Sequence, residues 1–328
     1  MTSQHIPVLL QEVIESLQPK PGQFFVDGTV GGGGHTLHLF KRLVPGGTFL
    51  GLDRDCASLE AFKSAVNLKT FDMERVVLMC ENYSHLYQLL AEADLPKANG
   101  ILLDLGISSL QLGNAQSQPR DVAESSAGAS TLELLQKDSI KEAPVAELSI
   151  PGFSFQRDEE LRMTYEEDSK PVWKILQELS VKELARIIAD YSQERFALDI
   201  ASSIKQSRIK TTFDLVSAIE RAVPKSYEQG RIHPATRTFM ALRIYANAEL
   251  EHLETFLAEL SSCVAPKGRV AIITFHSLED ALVKKYFREL VRKKEFVFPI
   301  EEIVYPSLAE IDSNPRSRSA KLRVIEKI

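Results

Sequence analysis

Four short apolar runs in the first third of the chain constrain the fold more than any other feature. Stretches with a helical pattern separate these runs, which occupy residues 23–26, 48–52, 76–80 and 101–103. Runs of this kind are typical of buried strands in a parallel sheet, and the stretches between them supply the crossover helices. An apolar stripe from Val8 to Leu17, directly after Pro7, predicts an opening helix. The sequence therefore predicts an α/β fold.

The middle of the chain interrupts this pattern twice. Residues 113–150 are rich in Ser, Ala, Gln and Gly, which predicts an exposed linker or insertion. Residues 151–230 show helical stripes without strand signals, so they are predicted to form a small inserted helical domain.

Sheet-forming signals resume after residue 230. A long helix is expected over residues 235–260, and a strong strand follows over residues 269–275. Two further runs, at residues 296–304 and 322–325, could close the sheet in an antiparallel sense. The sheet domain is thus predicted to be discontinuous, with residues 1–112 and 231–328 on either side of the insertions.

Composition excludes several classes of protein. Lys and Arg number 39 against 45 Asp and Glu, and the net charge of −6 argues against a wholly basic nucleic-acid binder, though not against a local basic face. No apolar run approaches the ~18 residues of a membrane span. The N-terminus lacks the basic and apolar regions of a secretory signal. The chain is therefore expected to have no membrane partner.

Cysteine usage is sparse. Cys56, Cys80 and Cys263 are widely spaced and form no C-x-x-C pair. Neither a disulfide framework nor a cysteine-based zinc site is expected, no metal is predicted, and a reducing cytoplasm fits.

The most informative local feature is the glycine-rich loop at residues 27–35 (DGTVGGGGH), between a predicted strand and a predicted helix. Glycine allows a ligand to approach the main chain closely, and free N–H groups at the start of a helix favour an anion. That anion could be a pyrophosphate in a nucleotide site or the methionine carboxylate in a site for S-adenosylmethionine (AdoMet). A tight turn that only permits packing is the structural alternative, but four consecutive glycines exceed what packing requires.

Spacing narrows the choice of ligand. The dinucleotide fingerprint G-x-G-x-x-G fails because its third glycine position falls on Thr36, and no Gly-Lys-Ser/Thr of a P-loop follows. Asp53 ends the second apolar run twenty positions after Gly33, which matches the usual offset of about 20 for a carboxylate that accepts hydrogen bonds from ribose. A glycine-rich first loop with an acid at the end of the second run, but without the dinucleotide fingerprint, favours AdoMet. The same features disfavour an NAD-dependent oxidoreductase.

Two further side chains follow predicted strands. Asp104 ends the fourth run. Ligands of open α/β sheets sit beyond the carboxyl ends of the strands, so its carboxylate can face both cofactor and acceptor, or it can cap the next helix. His276 could contact substrate or cofactor, or be a structural residue. Ser277 is the expected cap of the helix that follows, with Glu279 and Asp280 in its first turn.

Basic residues cluster late in this acidic chain. One group, at residues 231–243, includes Arg237, a second lies along residues 284–294, and a third contains Arg316 and Arg318. Such concentration suits contacts with phosphates. For the second group a solvated helix face is the simpler interpretation, whereas the Arg-Ser-Arg-Ser sequence of the third favours RNA.

Several segments match, in order along the chain, the motifs of one known family. The two most specific are HPATRTF at residues 233–239 and FHSLED at residues 275–280. The others are residues 5–10 (HIPVLL), 27–35, 53–55 (DRD), 103–109 (LDLGISS), 152–155 (GFSF), 194–197 (ERFA) and 314–320 (NPRSRSA). With these segments the chain resembles the bacterial small-subunit rRNA cytidine-N4 methyltransferases, over nearly its whole length except residues 113–150.

The resemblance implies a fold and an activity. The fold is a Rossmann-like AdoMet-dependent methyltransferase sheet with an inserted helical domain. The activity is methylation of the exocyclic N4 of a cytidine in the decoding region of 16S rRNA, with AdoMet as cofactor. The partner is 16S rRNA, within the small ribosomal subunit, in the cytoplasm.

The resemblance also assigns site residues. Those of the cofactor pocket are Gly33, Gly34, His35, Asp53, Tyr83, Asp104 and Gln111. Tyr83 would lie against the adenine, and an aromatic ring there also suits stacking on a flat base. Asp104, or a nearby main-chain carbonyl, would accept the N4–H hydrogen bond, and His276 is a second catalytic candidate. Arg237, Arg316 and Arg318 would contact RNA.

Two departures from the family pattern stand out. Leu110 occupies a position where the family usually has Pro, and residues 158–166 read DEELRMTYE where the family has DGPLDMRMD. Because this segment is expected to border the acceptor pocket, its change motivates an alternative. The alternative is an RNA-binding ribosome-assembly factor that retains the methyltransferase fold with weak or lost turnover.

Overall fold

A seven-stranded sheet forms the centre of the computed structural model, which describes residues 7–68, 71–106, 150–166, 168–227 and 232–328. Its strands are β1 (Phe24–Asp27), β2 (Gly47–Asp53), β3 (Met73–Cys80), β4 (Ala98–Asp104), β5 (Val264–Thr274), β6 (Phe296–Val297) and β7 (Lys321–Lys327). Their order is β3-β2-β1-β4-β5-β7-β6. The first five in this order are parallel, and β7 and β6 close the sheet antiparallel. The predicted α/β class and Rossmann-like sheet are confirmed.

Twelve α-helices surround or follow the sheet within the described residues. They are α1 (Leu10–Leu17), α2 (Gly34–Leu43), α3 (Cys56–Ala65), α4 (Leu86–Glu92), α5 (Val172–Glu178), α6 (Val181–Ser192), α7 (Ala197–Lys205), α8 (Thr212–Ala222), α9 (Ala235–Ala246), α10 (Glu249–Cys263), α11 (Ser277–Arg292) and α12 (Leu308–Ser313). The opening helix is confirmed. A membrane-crossing helix, which needs greater length and apolarity, is absent from this part of the chain. The predicted linker at residues 113–150 lies almost wholly outside the described residues.

The central strands bury both of their faces. Successive residues of a strand point to opposite sides, so β1 feeds two cores. Phe24 and Val26 pack with α10 and α11, and Phe25 packs with α1 and α2. The prediction of a buried strand at residues 76–80 is wrong, because β3 is the edge of the sheet and is only partly covered.

A third core lies among the helices of the insertion. This core contains Leu184 and Ile188 of α6, Leu215 of α8, and Phe239 and Leu242 of α9. The predicted helical character of the insertion therefore agrees with the structure. We propose that this helical unit extends through α9, beyond the predicted boundary at residue 230.

The helix expected over residues 235–260 is two helices, α9 and α10. Between them Ala248 has a left-handed φ of 48°. The side-chain amide of Asn247 donates a hydrogen bond to the carbonyl oxygen of Met163, at 2.8 Å. The apolar pattern misses this break because the contact that stabilises it comes from a segment 84 residues away.

One disulfide corrects the expectation drawn from cysteine spacing. Cys56 and Cys80 are joined, with Cα atoms 5.0 Å apart, although 24 residues separate them in sequence. Asp53 at the end of β2 pairs with Cys80 on the parallel neighbour β3. The first residue of α3 therefore comes beside the end of β3. The third cysteine, Cys263, is free and buried.

Candidate active site

The predicted site residues gather at one edge of the sheet. The carboxyl ends of β1, β2, β4 and β5 meet there because these strands are parallel. Asp53 ends β2, Asp104 ends β4, the glycine-rich loop follows β1, and His276 follows β5. This is the edge at which open α/β sheets bind their ligands.

The glycine-rich loop packs closely against neighbouring side chains. Gly33 precedes α2 with a left-handed φ of 79°, and a Cβ there would meet the Phe62 ring at 2.0 Å. A Cβ on Gly34 would lie 2.5 Å from Cγ of Pro7. Among the described residues no side-chain cap is seen at the start of α2, and its first N–H groups, which have no intrahelical partner, can bind an anion. The fold itself thus requires these two glycines, which the sequence interpretation assigned to the cofactor.

Asp53 connects β2 to the glycine-rich loop. Its Oδ2 accepts a hydrogen bond from the Gly31 N–H at 2.6 Å, and its Oδ1 accepts one from the Asp55 N–H at 2.8 Å. Burial raises the pKa of Asp53 to about 7, although these two hydrogen bonds act in the opposite direction. The carboxylate lies beside the loop, as a ribose contact requires, and each oxygen retains a lone pair for a further donor.

Tyr83 stands on the other side of the same loop. It begins a short 3-10 helix, Tyr83–His85, and its ring meets Phe256 edge-on at 5.8 Å. A Cβ added to Gly28 would lie 3.0 Å from Cβ of Tyr83. Burial raises the pKa of the phenol, so Tyr83 remains uncharged at neutral pH. The predicted adenine contact is therefore adjacent to the loop.

Asp104 is a strongly perturbed carboxyl at the end of β4. Its N–H donates a hydrogen bond to Oγ1 of Thr29 at 2.7 Å, and its Oδ1 accepts one from the Gly106 N–H at 3.4 Å. Burial raises the pKa of Asp104 to about 7, and the negative charge of Glu279 adds to this rise. Asp104 therefore exchanges a proton near neutral pH, which suits a general base.

The His35 side chain contacts Val8 and Asp104. Its Nε2 lies 3.0 Å from the carbonyl oxygen of Val8, and its Nδ1 lies 3.6 Å from Oδ2 of Asp104. The imidazole is buried. The main-chain N–H of His35, in the first turn of α2, can still donate a hydrogen bond to an anionic group.

The cap of α11 is His276 and not Ser277, which the sequence predicted. Nδ1 of His276 accepts a hydrogen bond from the Glu279 N–H at 3.4 Å, and Oε2 of Glu279 accepts hydrogen bonds from the N–H groups of Phe275 and His276. The ring could not be predicted as a cap because Ser is the usual residue there. Nε2 of His276 is buried and, within the described residues, has no well-directed hydrogen-bond partner, although Oε1 of Glu279 lies 2.9 Å away.

Glu249, His276 and Glu279 come close enough to be considered as metal ligands, with ligand atoms within 4.8 Å of one another. Arg243 binds both carboxylate oxygens of Glu249, each at 2.9 Å. Nδ1 of His276 is engaged in the helix cap, and Nε2 lies 2.9 Å from Oε1 of Glu279. These contacts are those of a hydrogen-bond network, and the absence of a metal stays a prediction.

Sequence reasoning missed the contacts by which Arg54 and Asn247 connect the sheet to residues 160–166. Arg54, directly after Asp53, donates a hydrogen bond to the Asn247 carbonyl at 2.9 Å and lies 5.1 Å from the centre of the Tyr165 ring. It also pairs with Glu166 at 3.6 Å, and Tyr165 N–H donates to Oδ1 of Asn247 at 3.2 Å. The segment that departs from the family pattern therefore borders the site. The signal available in the sequence was Asn247, a lone Asn inside an apolar helix pattern.

Two of the predicted RNA contacts lie at this edge of the sheet. Arg316 and Arg318 are exposed on the 3-10 helix Pro315–Ser319. That helix leads to Lys321, which pairs with Thr274 at the end of β5. Arg237 is partly buried on α9.

Two further predictions concern the basic group at residues 284–294 and Gln111. In the basic group at residues 284–294, Lys285, Arg288 and Lys293 pair with glutamates, as on a solvated helix face. Gln111 lies outside the described residues.

A family model described as the MraW methylase family matches residues 2–117 and 147–328. The chain belongs to this family. The protein named "Ribosomal RNA small subunit methyltransferase H" of Syntrophotalea carbinolica is 38% identical over 345 residues, which cover 99% of this chain and 98% of the relative. The protein of the same name from Heliobacterium modesticaldum is 36% identical over the full length of both chains. The predicted resemblance is confirmed, and the alternative of an assembly factor is not favoured.

Two solved structures also resemble the chain at low identity. A putative rRNA-methylase from Clostridium thermocellum has a TM-score of 0.42 and 10% identity, with full coverage of both chains. A putative methyltransferase from Streptococcus mutans, solved in complex with SAH, has a TM-score of 0.37 and 9% identity, with coverage of 97% of this chain and 95% of that chain.

Proposed function

We propose that this protein transfers the methyl group of AdoMet to the exocyclic N4 of a cytidine in the decoding region of 16S rRNA. One observation carries the proposal: in a chain of the MraW methylase family, the glycine-rich loop, Asp53 and Asp104 meet at one edge of the sheet. The motifs at residues 233–239 and 275–280 support the same activity.

The chemistry of this edge fits AdoMet. The uncapped start of α2 offers the N–H groups of Gly34 and His35 to a carboxylate. Asp53 offers carboxylate lone pairs to ribose hydroxyls, and Tyr83 offers an aromatic face to adenine. Asp104 completes the described part of the pocket. Gln111 stays a predicted contact.

The bound cofactor supplies an electrophilic methyl group, so the chain's task is to prepare the acceptor. The N4 amine of cytosine is a poor nucleophile because its lone pair is delocalised into the ring. Alignment of N4 can lower the barrier by roughly 7–11 kcal/mol. The target base must also leave its stack, which costs about a few kcal/mol.

We propose that Asp104 accepts the proton that N4 loses. Its ionised carboxylate accepts a hydrogen bond from N4–H, which concentrates electron density on the nitrogen, and then holds the proton. The pKa of about 7 gives Asp104 enough basicity for this step while keeping much of it ionised at neutral pH.

We assign the recognition of the base to His276. Its Nε2–H is buried and lies 2.9 Å from Oε1 of Glu279, without well-directed hydrogen-bond geometry among the described residues. Leaving such a donor unsatisfied costs about 1–3 kcal/mol, and a cytosine offers O2 and N3 as acceptors. Glu279 holds the ring through the cap of α11.

The setting of the reaction follows from the substrate. We propose that the acceptor cytidine is presented within the small ribosomal subunit, in the cytoplasm. Arg316, Arg318 and Arg237 would contact phosphates around it, because Lys and Arg side chains supply most sequence-independent affinity for nucleic acid.

Mapping of methylated nucleosides in 16S rRNA tests the proposal. Ribosomal RNA from cells with and without this protein is digested and compared by mass spectrometry. We expect N4 methylation of one decoding-region cytidine to disappear without the protein and to return when the purified protein and AdoMet are added to small subunits. An unchanged methylation pattern, with AdoMet bound normally, would contradict it.

A further inference from the structure

His35 occupies a position between the opening segment of the chain and Asp104. Its side chain is only 8% exposed. A carbonyl oxygen can only accept a hydrogen bond, so the contact of Nε2 with Val8 places the ring hydrogen on Nε2. The neutral ring then presents the lone pair of Nδ1 to Oδ2 of Asp104, 3.6 Å away.

The opening segment holds this arrangement in place. Val8 and Leu9 are buried. The N–H of Leu9 donates a hydrogen bond to Oε1 of Glu310 at 2.7 Å, which fixes the neighbouring Val8 carbonyl. The tautomer of His35 is therefore determined by packing of the N-terminal segment against α12.

Burial favours the neutral forms of both the His35 imidazole and the Asp104 carboxyl. Burial lowers the pKa of His35, although the nearby carboxylates of Asp27 and Glu310 oppose this. Asp104 is faced by His35 from α2, by Asp27 from β1 and by Glu279 from α11. The negative charges of Asp27 and Glu279 disfavour ionisation of Asp104.

We propose that His35 is a positioning residue for methyl transfer, and that its Nδ1 accepts a hydrogen bond from the protonated carboxyl of Asp104. This inference rests on the proposed function. As the bond from N4 to the methyl carbon forms and the bond from that carbon to the donor sulfur breaks, N4 loses one proton to Asp104. The protonated carboxyl then donates a hydrogen bond to Nδ1 of His35, and the other product is S-adenosylhomocysteine.

The separation of 3.6 Å is slightly longer than a hydrogen bond. Hydrogen bonds in active sites commonly shorten when substrate is bound. An acceptor that stabilises the protonated carboxyl raises its basicity, so His35 makes Asp104 a stronger base without touching cofactor or acceptor.

Two substitutions separate the two nitrogens of the ring. His35→Gln keeps a donor near the position of Nε2 but removes the acceptor at Nδ1, whereas His35→Asn places an amide oxygen near Nδ1. His38→Gln, on the same helix, is the matched control. The measurement is the pH profile of single-turnover methylation of small subunits at saturating AdoMet, with AdoMet affinity and thermal unfolding measured alongside.

The wild-type rate should rise through the pKa of Asp104, near 7. In His35→Gln the rise should move to lower pH and the plateau should fall about 3- to 10-fold, the effect of one hydrogen bond. His35→Asn should keep most of the plateau, and His38→Gln should match the wild type. A lower plateau without movement of the pH profile would show a merely structural role and overturn the proposal. Lost AdoMet affinity in His35→Gln would do the same.

Nitrogen NMR of the wild-type histidines tests the same inference without a variant. We expect His35 to be neutral with its hydrogen on Nε2, and a charged ring or the other tautomer would refute the proposal. If the wild-type protein transferred no methyl group to 16S rRNA, the proposed function would fail, while the NMR result would still report on the pairing with Asp104.

Discussion

Buried carboxyl groups dominate this site at the scale of single residues. Asp27, Asp53 and Asp104 lie at the ends of three adjacent parallel strands, and burial raises the pKa of each. Parallel strands bring such residues together because all their carboxyl ends face one edge. The fold therefore places three carboxyl groups with raised pKa values at the edge where the proposed proton transfer takes place.

Asp104→Asn tests the proton acceptor directly. The amide keeps the shape of the carboxyl but cannot take a proton, so single-turnover methylation at saturating AdoMet should fall roughly 10²–10⁴-fold. The variant should unfold at a similar temperature. Asp312→Asn, at an exposed acid of α12, should leave the rate unchanged. An unaltered rate in Asp104→Asn would remove the assigned role.

The stability of the ligand-free protein should depend on Asp53. Its pKa is about 7 in the folded chain against 3.8 for a solvated aspartate side chain, so the folded state binds this proton more tightly than the unfolded state. The free energy of unfolding should therefore fall as pH rises from about 4 to about 7, by up to about 4 kcal/mol for this group.

Denaturant unfolding at several pH values checks this expectation. Asp53→Asn should be less stable throughout, because it loses an acceptor for the N–H groups of Gly31 and Asp55. Only the slope against pH is decisive, and it should be shallower in the variant. Equal slopes in the two proteins would mean that Asp53 titrates normally in the folded state.

At the scale of elements, the break between α9 and α10 determines where residues 160–166 lie. Asn247 binds Met163 and Tyr165 on one side, and its carbonyl accepts a hydrogen bond from Arg54 on the other. A helix that continued through this point could not make these contacts. The break therefore joins the helical insertion to the loop that follows Asp53.

Asn247→Ala should weaken this junction. Loss of the side-chain hydrogen bonds leaves buried main-chain groups unpaired, so the free energy of unfolding should fall by about 1–3 kcal/mol, and methylation should fall with it. Ser180→Ala, which removes the cap of α6, should cost about 1 kcal/mol with no loss of activity. Denaturant unfolding and turnover, measured together, distinguish the two. If both variants behaved alike, the junction would have no special link to the site.

At the scale of the whole molecule, an acidic chain exposes basic residues at the edge that carries the site. The net charge is −6, yet Arg316 and Arg318 are exposed beside the end of β5. Lys285 and Arg288 of α11, and Lys293 directly after it, are by contrast paired with glutamates. Phosphate contacts should therefore concentrate near the site rather than spread over the protein.

Salt dependence of rRNA binding tests this distribution of charge. The double variant Arg316→Ala/Arg318→Ala should bind rRNA more weakly, and the slope of log affinity against log salt should decrease by about one per arginine. AdoMet affinity should stay the same. Arg288→Ala removes an arginine paired with Glu302 and should leave the slope unaltered. Equal slopes for all three proteins would exclude phosphate contacts by Arg316 and Arg318.

The local pattern of the sequence determined the sheet and much of the site. The apolar runs predict β1, β2 and β4, and the glycine-rich loop and Asp53 follow from positions along single strands. Burial of a strand and the place where it ends are set by a few consecutive residues, so neighbours in sequence carry this information. The motifs that indicate the family are likewise contiguous.

Only the tertiary structure decided which side chains face each other. It turned His35 toward Val8 and Asp104, made His276 the cap of α11, joined Cys56 to Cys80, and divided the predicted long helix at Asn247. Each of these depends on a contact with a distant segment, or on which of two neighbouring polar residues caps a helix. Such contacts are selected by the packing of the whole chain, and a local pattern of apolar and polar residues does not encode them.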